Sequence, residues 1–186
     1  MIICLCGKSC SGKSNLANYL VKTFNAVHVD IDQIGHDSLM NELVKDKLIN
    51  TFGKDILKDN EINRKELGKI VFNSSSEMNK LTDITWPFME ERIDEIILHN
   101  SHKIIVLDYL LLPKTKYFKN SDIRILLDIP LNIRMERAMK RDNILEEEFL
   151  LREKATYRYN LDDFDVILND DNYEIVKKMV KEKIKV

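Results

Sequence analysis

Short apolar runs alternate along the chain with stretches whose apolar residues recur at helical spacing. Residues 2–6 form a continuous apolar run of strand length, which predicts a strand buried on both faces. Leu16, Ala17, Leu20 and Val21 then share one face of a helix. Further strands are predicted at 26–30, 103–108, 121–128 and 164–169, each ending at or next to a polar residue. Helical patterns fill 42–52, 64–72, 77–84, 87–99, 130–141, 146–159 and 173–184. Residues 73–76, NSSS, read as a loop and cap before the 77–84 helix, and Pro87 suits the first turn of the helix after it. Five strands separated by helices predict an α/β fold, with a parallel sheet covered on both faces. The long span 33–100 has helical patterning and no core strand, which predicts a helical insertion where an acceptor could bind.

The totals narrow the classes. A chain of 186 residues can bury one good core with insertions. A formal net charge of −2 gives no reason to expect nucleic acid or an anionic membrane as partner. No apolar run approaches the ~20 residues of a membrane span, and the N-terminus lacks the basic leader of a secretion signal. Of the three cysteines, Cys4 and Cys6 fall on one strand face as small apolar fillers, and no His lies near them or Cys10 to suggest a metal. A reducing, cytoplasmic location fits them.

The chemistry concentrates after the first strand. Gly7-Lys8-Ser9-Cys10-Ser11-Gly12-Lys13-Ser14 fits G-x-x-x-x-G-K-[ST], between a predicted strand and a predicted helix. Gly7 and Gly12 allow turns in which successive N–H groups converge on a phosphate. The helix start near Lys13 adds partial positive charge. Lys13 can reach the outer phosphates, and the Ser14 hydroxyl is suited to Mg²⁺.

Three further groups carry chemistry. Asp30 and Asp32 lie at the end of the second strand and point the same way if that strand persists. Asp32, further out of the sheet, is the better candidate to accept a proton from an acceptor hydroxyl. Asp108 closes the third strand, either as an acid that holds Mg²⁺ or as a polar strand terminus. Arg134, Arg137, Lys140 and Arg141, with Arg152 and Arg158 beyond, form a basic stretch that suits a lid over a transferred phosphoryl group. Arg137 and Arg141 share a helix face; nearby Glu136 and Glu146–Glu148 are what a solvated helix would carry. The four histidines show no metal-ligand spacing; His36 sits near the aspartates, and Trp86 is either a packing corner or a wall of the acceptor pocket.

Several stretches together resemble the dephospho-CoA kinase family: GKSCSGKS, VDIDQIGHD, FGKDIL with INRKELGKIVF, VLDYLLL, RMERAMKRD and DVILND, in that family's order. The resemblance implies transfer of the ATP γ-phosphate to the ribose 3′-hydroxyl of dephospho-CoA, with ATP and Mg²⁺ as cofactors. It implies one P-loop kinase domain: a five-stranded core over 1–32, 101–131 and 160–186, a helical acceptor insertion over 33–100 and a lid over 132–159. Cys10, Ser11, Gly12, Lys13, Ser14 and Asn15 match the phosphate-binding stretch, and Asn169 falls where an asparagine lies near the adenine. Asp32 matches the presumed base, Arg64 the arginine of the I-x-R element, and Arg137 and Arg141 the lid arginines. Trp86-Pro87 replaces the family's usual His-Pro, Leu110–Leu112 its P-L-L, Glu153 its glutamine after the lid, and Asn15 its threonine. The first three changes fall near expected acceptor contacts, and leave a P-loop kinase of another acceptor, such as a nucleoside or nucleotide, and a lapsed nucleotide-binding homologue as alternatives. The expected partner is small-molecule dephospho-CoA, with the chain a monomer or weak homo-oligomer.

Overall fold

A computed structural model describes residues 1–185 and divides them into two compact units. The first comprises Met1–Val29 and the chain from Asn100 onward; the second is Asp30–His99.

The first unit is built on a five-stranded sheet. Its strands are β1 (Ile2–Gly7), β2 (Val27–Asp30), β5 (Ile105–Asp108), β6 (Ile123–Leu127) and β7 (Val166–Leu168), in the order β2-β5-β1-β6-β7, with the short helix α6 (Lys116–Lys119) between β5 and β6 in the chain. β1 pairs in parallel with β5 on one side and β6 on the other, placing Leu5 between Asp108 and Ile125. Its residues Ile3 to Cys6 are fully buried, as the apolar run requires. Ile3, Leu5, Val106, Ile123 and Ile125 join Leu16, Ala17 and Leu20 of α1 (Lys13–Phe24) and Val176 and Val180 of α9 (Glu174–Ile184) in one core cluster. Cys4 and Cys6 are buried and unoxidised, and burial pushes the Cys4 thiol up to about 12 and the Cys6 thiol higher still. β1 leaves the sheet centre directly into the glycine loop, so the loop lies at the carboxyl end of the sheet, where ligands bind in open α/β folds.

The second unit holds α2 (Ile31–Ser38), α3 (Glu42–Phe52), a two-residue-per-strand hairpin of β3 (Leu57–Lys58) and β4 (Glu61–Ile62), α4 (Arg64–Val71) and α5 (Ser75–His99). Val44, Leu48, Ile56, Leu67 and Val71 form its core, with Leu81, Ile84 and Phe88 of α5 packed against them.

Four expectations fail here. α5 is one 25-residue helix with Pro87 inside it, where two helices were predicted. Proline has no N–H for the carbonyl four residues back, yet Thr85, Met89 and Ile93 on either side are buried and carry the helix through. The cap before this helix is Ser74, whose Oγ accepts from the Glu77 N–H at 3.3 Å, so the helix starts two residues early. The second strand stops at Asp30, which caps α2 by accepting from the Gln33 N–H at 3.0 Å. Asp32 is therefore in the first turn of a helix, and the shared strand direction expected for the two aspartates does not exist. Finally, α8 (Glu146–Lys154) ends five residues before the predicted 159; residues 155–160 are irregular, with Tyr157 and Tyr159 half-buried.

Candidate active site

The glycine loop closes around its own backbone. Gly7 (φ +153°), Cys10 (φ +61°) and Gly12 (φ +93°) take positive φ, and the Ser11 N–H donates to the Lys8 carbonyl at 3.2 Å. A methyl group on Gly7 would lie 2.6 Å from Ser11 Oγ and 2.9 Å from the Leu127 carbonyl, so only glycine fits there. Gly12 caps α1 in the left-handed region with no side-chain cap, as a helix N-terminus open to a ligand would have. Ser11 Oγ is a buried polar atom without a hydrogen-bond partner, at the floor of this loop. An orphaned hydroxyl beside uncapped helix amides is a cradle for an anion.

Lys13 Nζ folds back to donate to the Gly7 carbonyl at 2.9 Å and lies 4.0 Å from Asp108 Oδ1. Asp108 is buried, and its other oxygen lies 3.3 Å from His28 Nε2. Ser14 and Asn15 are exposed at the start of α1. The His28–Asp108 contact was not legible in the sequence, since eighty residues separate the pair.

The basic stretch splits into two roles. Arg134, on α7 (Leu131–Asp142), is buried: its Nε donates to the Ile129 carbonyl at 3.0 Å, and its Nη1 and Nη2 bind Glu153 at 2.9 and 3.0 Å. It is thus part of the framework and does not face a ligand, against the grouping read from sequence. Glu153 also takes Lys8 Nζ at 2.6 Å, and the Arg134 and Lys8 bonds hold its carboxyl below the usual carboxylate range. Arg137 stands over the loop: a methyl on Gly12 would lie 3.5 Å from its Nη1 and 3.3 Å from Asp171 Oδ1, and Arg137 Nη2 donates to Asp171 Oδ2 at 2.6 Å. Arg141 is held by Asp142, whose hydrogen bonds raise its already high pKa, and Cys10 adds to that electrostatically. Asp171 and Glu153 were missed as site residues. Glu153 alone carried a signal, as the acid standing where the family's glutamine lies.

Asn169, exposed just past β7, lines a cavity of about 280 Å³ with Asp170, Asn172 and Glu174. In the helical unit, Arg64 begins α4 next to its cap Asn63 and bonds His36 Nε2 at 2.7 Å. Arg64, His36 and Gln33 line a cavity of about 370 Å³ with Lys45 and Glu61. Asp32 is exposed on α2, and Trp86 is half-buried on α5.

A parallel sheet with a phosphate-type loop after its central strand, an acid closing the neighbouring strand and an arginine over the loop define a P-loop kinase. The family model of dephospho-CoA kinases matches residues 1–173. A dephospho-CoA kinase of Fusobacterium nucleatum is 30% identical over 185 residues, covering 97% of this chain and 95% of that one. One from Borreliella burgdorferi is 24% identical over 192 residues, covering 99% and 93%. Among solved structures, one from Thermus thermophilus superposes with a TM-score of 0.83 at 21% identity, covering 98% of this chain and 97% of its own. The Campylobacter jejuni dephospho-CoA kinase superposes at 0.66 and 22%, covering 98% of each, and at such identities the likeness speaks for the fold. The chain belongs to the dephospho-CoA kinase family, a family of ATP-dependent kinases.

Proposed function

We propose that this chain transfers the γ-phosphate of ATP to the ribose 3′-hydroxyl of dephospho-CoA, giving coenzyme A. The observation that carries the reading is the cradle of Gly7 to Ser14, with Lys13 and the buried Asp108 beside it, in a member of this family.

Cys10 to Asn15 take the phosphates, through the loop amides and the uncapped N-terminus of α1. Lys13 exchanges the Gly7 carbonyl for the outer phosphates, a short movement for a flexible four-carbon stem. Mg²⁺ keeps its waters and leans on phosphates with one or two protein oxygens. Ser14 is the residue to hold it, with Asp108 directly or through water. Bound Mg²⁺ supplies neutralisation of the developing charge. Arg137 and Arg141 cover the moving phosphoryl group, and Asn169 lies towards the adenine.

Arg64 and Trp86, in the helical unit, take the acceptor, and the cavity lined by Arg64, His36 and Gln33 suits its anionic part. Asp32 orients the 3′-hydroxyl. As that oxygen bonds to the γ-phosphorus, the bond from phosphorus to the β–γ bridging oxygen breaks, ADP leaves and Asp32 takes the hydroxyl proton. Residues 33–100 act as the acceptor insertion and 132–159 as the lid. The protein works in the cytoplasm as a monomer or weak homo-oligomer.

A coupled ADP-release assay tests this. ADP should form with dephospho-CoA well above a no-acceptor control, and coenzyme A should accumulate in step. ADP release only with a nucleoside or nucleotide acceptor would replace the acceptor, and none with any would leave a nucleotide-binding protein without transfer.

A further inference from the structure

The first two residues of the glycine loop are each held by a side chain from residues 153–159. Between β1 and β5 the parallel ladder ends where the Tyr109 N–H donates to the Leu5 carbonyl at 3.3 Å. Beyond that rung the strands diverge. The next inward N–H of β1 is that of Gly7, and it donates to the phenol oxygen of Tyr159 at 3.2 Å. The Tyr159 hydroxyl in turn donates to the Leu110 carbonyl at 2.9 Å. A side-chain hydroxyl thus bridges the gap between the two strands, at the point where they open to form the cleft. The ring is fixed by edge contacts with Tyr157 at 5.1 Å and Phe164 at 5.6 Å between centroids. Six residues earlier in the same segment, Glu153 takes the next loop residue, Lys8, and is itself fixed by buried Arg134.

We propose that Tyr159 is a positioning residue for nucleotide binding, its hydroxyl setting the take-off of the phosphate loop from β1. The inference rests on the reading that ATP binds this loop. The first phosphate-cradling turn starts at Gly7, whose carbonyl also holds Lys13 at 2.9 Å. Loss of the hydroxyl leaves the Gly7 N–H and the Leu110 carbonyl without this partner in a half-buried place. The loop then gains freedom at its root, and part of the ordering that Tyr159 supplies falls to ATP. The Glu153–Lys8 bond supports the same segment from a second residue, so the loss weakens the loop without freeing it wholly.

The test is Tyr159→Phe, which removes one oxygen and keeps the ring. The KM for ATP, and the Kd of a fluorescent ATP analogue, should rise about tenfold, the equivalent of one hydrogen bond. The KM for dephospho-CoA should stay within twofold. A merely structural tyrosine would lower the melting temperature and leave both KM values of the folded enzyme unchanged. An ATP KM within twofold of wild type therefore overturns the proposal. Should the variant fold poorly, hydrogen exchange at the wild-type Gly7 amide reads the same bond, and an amide that exchanges as fast as a free one, with or without the ATP analogue, overturns the proposal equally. Lys13→Ala separates the two levels: if it too leaves the analogue Kd unchanged, the nucleotide does not sit on this loop and the underlying reading has failed.

Discussion

Lys13 shows how much one side chain can carry. Its ammonium sits between the Gly7 carbonyl and Asp108 Oδ1, at the glycine loop. Charge stabilisation and positioning are the main contributions in phosphoryl transfer, since the protein supplies little covalent chemistry. Lys13→Ala should lower kcat about 10²-fold or more with dephospho-CoA as acceptor; a loss under threefold in steady-state kinetics would contradict the role. Lys13 was legible because its chemistry is written in contiguous residues. The pairings of His28, Glu153 and Asp171 were not, because their partners Asp108, Lys8 and Arg137 lie 80, 145 and 34 residues away. Arg134 was misread for the same reason. Its spacing from Arg137 and Arg141 places it on the helix, and only burial against Glu153 separates it from them.

Elements were legible where the pattern was long or fully apolar, as in β1 and α3. α3 matches at both ends, whereas the start of α5 and the end of α8 were not legible. Pro87 has the same sequence appearance at a first turn and inside a helix. An interior proline costs about 3 kcal/mol, a sum that burial of Met89 and Ile93 can outweigh. α4 has a sharper signal. Asn63 Oδ1 accepts from the Lys65 and Glu66 N–H groups at 3.1 and 3.4 Å, and Arg64 follows it directly. Asn63→Ala should cost about 1 kcal/mol, seen as a lower urea midpoint. It should also raise the KM for dephospho-CoA while leaving that for ATP unchanged, because the frayed turn carries Arg64. Equal changes in both KM values would detach Arg64 from the acceptor.

The tie between α7, α8 and the loop makes an acid-dependent prediction. Glu153 has its pKa lowered from 4.5 first by the Arg134 hydrogen bonds, against the opposing effect of burial, and then by Lys8. A lowered folded-state pKa means that its contribution is fully present above about 4.5 and fades as pH falls through the lower folded value. Glu153→Gln should therefore be less stable than wild type by about 2 kcal/mol at pH 7, a charge-assisted bond's share. The gap should close as the pH is taken from 4.5 towards 3. A gap in urea-unfolding free energy that holds constant over that range would show that the charge on Glu153 contributes nothing.

At the scale of the molecule, the order β2-β5-β1-β6-β7 puts the loop on the central strand, flanked by two buried neighbours. Five apolar runs implied a parallel sheet, but their lateral order depends on pairings between segments as far apart as Ile3 and Ile123, which no local pattern encodes. The consequence is energetic as well as geometric. A ligand held at the end of the central strand stabilises the sheet unit by mass action: at one hundred times its Kd, ATP adds about 2.7 kcal/mol. For a chain of this length each kcal/mol raises the melting temperature by about 2–4 °C, so saturating MgATP should raise it by about 5–10 °C. Lys13→Ala, at the same ATP concentration, should lose most of that rise, since a hundredfold weaker Kd leaves about 0.4 kcal/mol of linkage. Differential scanning fluorimetry of both proteins with MgATP, MgADP and no nucleotide reads it directly. An undiminished rise in the variant would mean that the stabilising nucleotide lies away from the loop on β1.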